Sequence, residues 1–435
     1  MHNLAIALSK EGNNVTGSDD IIFEPSSGRL KKYGLLPEKM GWDENNISED
    51  IEAIVLGMHA HSDNPELIKA QALGLKIYSY PEFLYNQSKE KTRVVIGGSH
   101  GKTTITSMIL HVVHQLNIDV DYMVGAQLEG FETMVKLTDE NKYIVLEGDE
   151  YLSSALDLRP KFHLYKPNIA LLTGIAWDHI NVFPTFENYV EQFKIFIDKI
   201  EEGGVLAYNT DDENIVSLVE NSNAKIEFIP YCTPKYRIEK GRYILISDIG
   251  DYELEVFGKH NLQNIEGAKV LCMQMGVSEV EFYKSISNFK GASRRLEEVY
   301  SDDEHIVYKD FAHSPSKVAA SVSAVSERFA DVEKLVVLEL HTYSSLNPEF
   351  LKQYKGSLDT VSNPIVYVDK VIVENKRMKP ISEQQIKEAF VKEDLLFFDD
   401  ANDLKNYVNS KLPDVQVALF MSSGNLGGLD LANLY

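Results

Sequence analysis

Gly97-Gly98-Ser99-His100-Gly101-Lys102-Thr103-Thr104 gathers glycines, a lysine and hydroxyls in one short segment. These are the residue types that hold a phosphate chain. Glycines let backbone N–H groups approach phosphate oxygens, and a helix starting at Lys102 would add free N–H groups and a positive dipole end. Lys102 would neutralise β- and γ-phosphate charge, and the Thr103 hydroxyl would reach Mg²⁺. The spacing is GxxxGKT, one residue shorter than the common GxxxxGK[ST], because Ile96 stands where the first glycine would be. A glycine turn that merely starts a helix is the plain alternative; a strand before the loop and a helix after it favour phosphate.

Two further groups could serve the same chemistry. Glu147 ends the apolar run Tyr143–Glu147, and Trp177-Asp178-His179 follows the run Ile169–Thr173. Carboxyl ends of strands are where α/β sheets bind ligands. Glu147 would therefore hold a metal near the loop, with His179 beside it. Taken singly, a solvated acidic turn and a structural histidine are the simpler readings; two such strand ends beside one phosphate loop favour function.

The elements that must position these residues alternate between strand and helix. Ile51–Gly57 reads as a buried strand, Asn64-Pro65 as a capped helix start, Gly74 as its stop, and Leu75–Tyr78 as the next strand. Asn86–Lys91 reads as a linker. Arg93–Gly97 is a strand, and Ile105, Met108, Ile109, Val112, Val113 and Leu116 share one helical face. Val205–Lys259 alternates more and suggests an antiparallel sheet. Beyond Gly291 the rhythm restarts, with strands at Leu335–Leu340 and Val415–Met421. The class is α/β with doubly wound layers, in three domains at about 1–90, 91–292 and 293–435.

Composition narrows the partners. A net charge of −23 disfavours nucleic acid and anionic membranes. No apolar stretch is long enough to span a bilayer. Two cysteines, Cys232 and Cys272, make neither a disulfide framework nor a CxxC metal site. The first residues do not read as a secretory signal. A reducing, cytoplasmic location is expected.

Further motifs come in a recognisable order: Gly258-Lys259-His260-Asn261-Leu262-Gln263-Asn264, Ser293-Arg294-Arg295-Leu296, and Lys309-Asp310-Phe311-Ala312-His313-Ser314-Pro315. Upstream stand Val15-Thr16-Gly17-Ser18-Asp19 and the segment Gly57–Glu66, which ends in Asn64-Pro65-Glu66. Together with GGSHGKTT, these resemble the Mur ligases, which join amino acids or peptides to UDP-N-acetylmuramate. That family has its own shortened loop, GT(N/H)GKTT. The resemblance covers nearly the whole chain. A P-loop kinase would explain the loop but not GKHNLQN or KDFAHSP. A folate polyglutamate-type ligase normally lacks the separate N-terminal domain. A non-catalytic descendant is a third alternative.

The resemblance implies a Rossmann-like N-terminal domain for the UDP-sugar, a P-loop central α/β domain for ATP, and a Rossmann-like C-terminal domain for the acceptor. ATP would meet Gly98, Ser99, His100, Gly101, Lys102, Thr103 and Thr104, with Asn261 and Asn264 on the adenine side, Arg295 on phosphate and Asp310 facing the nucleotide. Thr103, Glu147 and His179 would hold Mg²⁺; Lys102, His179 and Arg295 form the catalytic set. Ser18, Asp19 and His59 would meet the UDP-sugar, with Val15–Asp19 as a strand end beside the uridine, and His313 and His341 the acceptor. Ser314 replaces the second His of the D-[YF]-[AG]-HHP motif, so no role passes to it. Relatives carry a glycine-rich loop before the segment matching Met1–Lys10; either the start is truncated or the diphosphate contacts differ here.

Phe193 falls at the family's carbamoyl-lysine position, so no carbamate is expected. Asp149-Glu150-Tyr151 with residues 157–165 resembles the subgroup that adds L-alanyl-γ-D-glutamyl-meso-diaminopimelate. His341 and Tyr343 resemble the L-alanine-adding subgroup, although Thr342 replaces an Arg. The tripeptide is the first expectation and alanine the alternative. A monomer or weak homodimer is expected.

Overall fold

The apolar run before the glycine loop folds into the middle strand of a large sheet. The structure, a computed structural model, describes residues 1–435 apart from 59, 129, 178–181, 293–294 and 435. Contacts group the chain into two units. The first comprises Met1–Ile175, Phe186–Tyr231 and Gly267–Glu279; the second comprises Ala176–Thr185, Cys232–Glu266 and Val280–Tyr435. Residues 232–266, placed in the middle segment from sequence, cluster with the C-terminal half.

In the first unit, β1 (Ile54–Leu56) and β2 (Ile77–Ser79) pair in parallel. Between them runs the helix Pro65–Ala72, capped as expected by Asn64, whose side chain accepts from the N–H groups of Glu66 and Leu67. The Rossmann-like layer is thus two strands among the described residues. Val15–Asp19, expected to end a strand, forms none. It is tied instead by side chains: Ser18 Oγ donates to Glu66 at 2.8 Å, which also brings the two N-terminal motifs together.

Asn86–Lys91 is not simply a linker. A helix runs Tyr80–Ser88, because Ser79 and Glu82 form a reciprocal capping box at its start. Its C-terminal carbonyls are gathered by buried Arg93, which donates from Nη1 to Ser88 O, Lys89 O and Lys91 O at 2.8–3.0 Å.

The main sheet has seven strands: β3 (Thr92–Gly97), β4 (Asp121–Met123), β5 (Val135–Lys136), β6 (Tyr143–Glu147), β7 (Ile169–Leu172), β8 (Val205–Asn209) and β9 (Glu227–Tyr231). Their order is β5-β4-β6-β3-β7-β8-β9, parallel except for β4–β5. Central β3 is covered on both faces, which is why it reads as a continuous apolar run. The helix Lys102–Gln115 buries Ile105, Met108, Ile109, Val112 and Val113 of the expected face, while Leu116 caps its end and is only partly buried.

The antiparallel expectation for 205–259 holds only in part, since β8 and β9 extend the parallel sheet. In the second unit β10 (Tyr236–Glu239), β11 (Arg242–Ser247) and β12 (Gly250–Leu254) form the antiparallel meander. Six strands, β13 (Glu297–Ser301), β14 (Ile306–Asp310), β15 (Lys334–Glu339), β16 (Ile365–Tyr367), β17 (Leu396–Phe398) and β18 (Val417–Met421), make its main sheet. Their order is β13-β14-β18-β15-β16-β17, parallel except at β13. Because β18 returns between β14 and β15, the carboxyl ends of these three strands lie side by side.

One buried polar knot secures the edge of the first sheet. Asp121 is fully buried and accepts from Lys91 Nζ (2.5 Å), Thr138 N (3.1 Å), Thr138 Oγ1 (2.9 Å) and Asn141 Nδ2 (2.9 Å). Asp121→Ala strands the Lys91 charge and should destabilise the first unit by about 3–5 kcal/mol. A urea titration reads this as a lowered midpoint, and Lys91→Met in the same chain should recover much of it.

Candidate active site

The loop between β3 and the helix Lys102–Gln115 is shaped by what surrounds it. Gly98 has φ +132°, and a Cβ there would sit 1.9 Å from Thr173 Oγ1 at the end of β7. No other residue fits without moving that strand. Ser99 N–H donates to Gly174 O (2.9 Å), and Thr173 Oγ1 donates to His100 O. The loop is thereby stitched to β7. Gly101, at φ +80°, precedes the helix and supplies no side-chain cap, so the first N–H groups of a 14-residue helix stay available to an anion.

Lys102 is held back along the loop. Its ammonium donates to Gly98 O (2.7 Å) and to the buried carboxylate of Glu150. Burial works to lower the Lys102 pKa, but Glu150, Asp149 and Glu147 outweigh it and raise the value, so the cation persists through the neutral range. Thr103 Oγ1 donates to Glu147 Oε1 (2.7 Å), and Gly125 N–H donates to Glu147 Oε2 (2.8 Å). Thr103 and Glu147 are thus paired hard oxygen donors at the loop, the kind that Mg²⁺ takes, and they fit that ion. His179, expected as the third member, lies outside the described residues, as does His59. No group of three or more His, Cys, Asp or Glu that could hold a metal occurs among the described residues.

The remaining expected residues are divided between the two units. Ser18 is engaged with Glu66, and Asp19 accepts from the N–H of Asp20 (2.9 Å). In the second unit, Asn261 lies in the first turn of the helix Lys259–Gln274 and donates to Phe257 O (2.8 Å); Asn264, one turn on, is buried. Asp310 ends β14, buried, accepting from Ser321 Oγ and from Ala312 N–H (3.2 Å). Burial raises its pKa, opposed by Ser321 and by the Arg295 guanidinium. Arg295 also lies 5.4 Å from the Phe311 ring centroid. His313 Nδ1 meets Phe311 O at 2.7 Å. His341 follows β15, where its Nδ1 is 3.7 Å from Glu339.

The sequence reading missed Glu150 as the partner of Lys102, and Tyr189. The Tyr189 hydroxyl lies 2.8 Å from Ser99 Oγ and donates to Glu150 Oε1 at 3.1 Å, joining the loop to the carboxylate. In the sequence Asp149-Glu150 reads as part of an acidic turn and of the run that resembles the tripeptide-adding subgroup, neither of which points to a pairing with Lys102, and nothing local marks Tyr189 as its partner. Also unforeseen is a cleft of about 340 Å³ at the carboxyl ends of β1 and β2, lined by Leu56, Ser79, Glu82, Leu156, Asp157 and Arg159 among others. An open parallel sheet receives ligands at that edge.

Lys102→Met should abolish nucleotide binding and, by leaving Glu150 buried without its cation, destabilise the fold by about 3–5 kcal/mol. Adding Glu150→Gln should restore the unfolding midpoint but not the binding. Thermal unfolding together with a nucleotide titration separates the two effects; recovery of both would remove Lys102 from the site.

Comparison with known proteins agrees with this arrangement. Residues 96–272 match the Mur ligase middle domain. The chain is 31% identical over 394 residues to a UDP-N-acetylmuramate–L-alanine ligase of Sulfurihydrogenibium sp., spanning 88% of this chain and 84% of the relative. Solved structures share the fold. A murein peptide ligase of Psychrobacter arcticus has a TM-score of 0.67 at 20% identity, with 100% of this chain and 96% of that one covered. A UDP-N-acetylmuramate–alanine ligase of Thermotoga maritima has a TM-score of 0.67 at 19% identity, covering 97% and 93%. The chain belongs to the Mur ligase family, the ATP-dependent ligases that form amide bonds in peptidoglycan synthesis.

Proposed function

We propose that this ligase joins L-alanine to the carboxylate of UDP-N-acetylmuramate. The observation that carries the reading is the 31% identity to a relative named for that reaction, over 84% of its length. The run that favoured a tripeptide acceptor has a structural explanation of its own. Asp149 pairs with Lys161 (2.6 Å), Asp157 with Arg159 (2.7 Å), and Phe162 and Tyr165 are fully buried. These residues hold the 149–165 loop together and need no peptide to account for them. The tripeptide is the second reading, resting on that same run.

The chemistry follows from the residues. A carboxylate is a poor acyl donor, because oxide would have to leave. Its oxygen attacks the γ-phosphorus of ATP, the bond to the bridging oxygen breaks, and ADP departs. The acceptor amine attacks the resulting acyl carbon, the C–O bond of the tetrahedral intermediate breaks, and inorganic phosphate leaves as nitrogen gives up a proton. Lys102 and the loop N–H groups stabilise the transferring phosphoryl charge. Thr103, Glu147 and His179 would hold Mg²⁺, which when bound screens phosphate charge. Asn261, Asn264, Arg295 and Asp310 are assigned to ATP, Ser18, Asp19 and His59 to the UDP-sugar, and His313 and His341 to the acceptor. Division into domains at 90/91 and 292/293 belongs to the same proposal. Phe193 is fully buried, while the neighbouring Lys194 lies exposed 3.3 Å from Glu191, which supports a site without a carbamoyl-lysine.

Phosphate release from Mg²⁺-ATP with UDP-N-acetylmuramate tests the acceptor. Release that depends on L-alanine is expected. Release with L-alanyl-γ-D-glutamyl-meso-diaminopimelate alone would replace alanine by the tripeptide, and release with neither would overturn both readings.

A further inference from the structure

The second unit holds a buried carboxylate that the nucleotide chemistry does not use. Glu339, the last residue of β15, is 0% exposed. Its Oε2 accepts from Ser422 Oγ and from Leu426 N–H (2.8 Å) in the turn after β18. Its Oε1 has no hydrogen-bond partner; Nδ1 of His341, itself without a partner, lies 3.7 Å away. Among the described residues, no lysine or arginine forms an ion pair with Glu339. Burial pushes its pKa up, yet His341, Ser422 and the Leu426 N–H together bring it below the ordinary glutamate value, so the group is ionised.

Gly424 closes the arrangement. A Cβ there would fall 2.6 Å from His341 Nδ1 and 2.8 Å from Glu339 Oε2. The turn therefore presses on the imidazole and the carboxylate at once, and only glycine permits it. An ionised, otherwise inaccessible carboxylate beside one ring nitrogen fixes which nitrogen carries hydrogen. Nδ1 is the one turned to Glu339. Nε2, on the opposite edge of the ring in a side chain that is 28% exposed, then keeps the lone pair.

We propose that Glu339 is a positioning residue that holds His341 as the Nδ1–H tautomer, so that Nε2 accepts a hydrogen bond from the amine of the incoming amino acid or peptide. The inference rests on the assignment of His341 to the acceptor under the proposed function. It adds what aims the ring, and it names the amine rather than a carboxylate as the group received. Alanine and the tripeptide both carry an amine, so the device serves either.

Glu339→Gln tests it with almost no change of shape. The amide oxygen can keep the bonds from Ser422 and Leu426, while the amide N–H₂ takes the place of the open oxygen. It then donates to Nδ1 and moves the imidazole hydrogen to Nε2, which can no longer accept from the amine. The ¹⁵N spectrum of the histidine ring should report Nδ1–H in the native protein and Nε2–H in the variant. With ATP, UDP-N-acetylmuramate and whichever acceptor the native enzyme uses, kcat should fall by about tenfold or more, as a reversed tautomer does in other carboxylate–histidine pairs. The KM for ATP should stay within about twofold. His341→Ala should lower kcat comparably, and the double variant should fall no further. The same tautomer in both proteins would overturn the proposal, as would a loss of activity matched by a lower unfolding midpoint. If the native enzyme forms no amide with either acceptor, the acceptor reading falls, and the ring spectrum alone decides whether Glu339 sets the tautomer.

Discussion

At the carboxyl edge of the seven-stranded sheet the chain leaving β3 has to turn within contact distance of both neighbouring strands. Gly98 rests against Thr173 after β7, and a Cβ on Gly148 after β6 would lie 2.9 Å from Ile96 O. This narrow passage governs the geometry of the whole proposed phosphate site. It sets where the helix beginning at Lys102 starts and therefore where its N–H groups converge. It brings Thr103 beside Glu147 and places Lys102 within reach of Glu150. A wider passage would leave the same residues in sequence without the convergence that phosphate binding requires.

Carboxylates buried in a chain of net charge −23 need individual solutions, and more than one kind appears here. Asp121 and Glu150 each take a lysine, the first Lys91 at the sheet edge and the second Lys102, the cation proposed to meet phosphate. Asp310 and Glu339 take hydroxyls and backbone N–H groups instead, at the ends of β14 and β15 on either side of β18, where the Ser422 N–H donates to Asp310 O (2.9 Å) and the Ser422 hydroxyl to Glu339. The difference has a chemical consequence. A lysine-paired carboxylate is neutralised in place, whereas Glu339, brought below the ordinary glutamate value by His341, Ser422 and the Leu426 N–H against the opposing effect of burial, keeps its charge beside a neighbouring ring.

What could be read in the sequence was what is encoded locally. The glycine loop, the Asn64 cap, the apolar face of Lys102–Gln115 and the strand ending in Glu147 all follow from spacing within one or two elements. The misses are contacts closed over long stretches of chain. Ser99 and Tyr189 are 90 residues apart, Lys102 and Glu150 are 48, and Ser422 and Glu339 are 83. No periodicity connects such pairs. Val15–Asp19 forms no strand for a related reason, since the Ser18 hydroxyl finds Glu66 on the helix Pro65–Ala72 and Asp19 O finds the Gly41 N–H rather than a neighbouring strand. The polar stretch at 86–91 misled because its charged residues are compatible with a helix end, and the capping box that starts the helix lies upstream at Ser79 and Glu82.

Arg93 gives that connection a mechanical character. It belongs to β3, yet its guanidinium grips the last carbonyls of the helix Tyr80–Ser88 and also donates from Nε to Lys166 O (2.8 Å), just ahead of β7. One side chain therefore clamps the end of the helix arriving from β2, the strand that feeds the phosphate loop and the strand on which that loop rests. The joint has no spare length. Each residue inserted into the helix would turn its end by about 100° and advance it by about 1.5 Å, carrying the carbonyls out of the grip. Chain length between Ser79 and Arg93 is thus set by the fit of a socket, and this stretch should resist insertion and deletion as firmly as the glycine loop resists substitution.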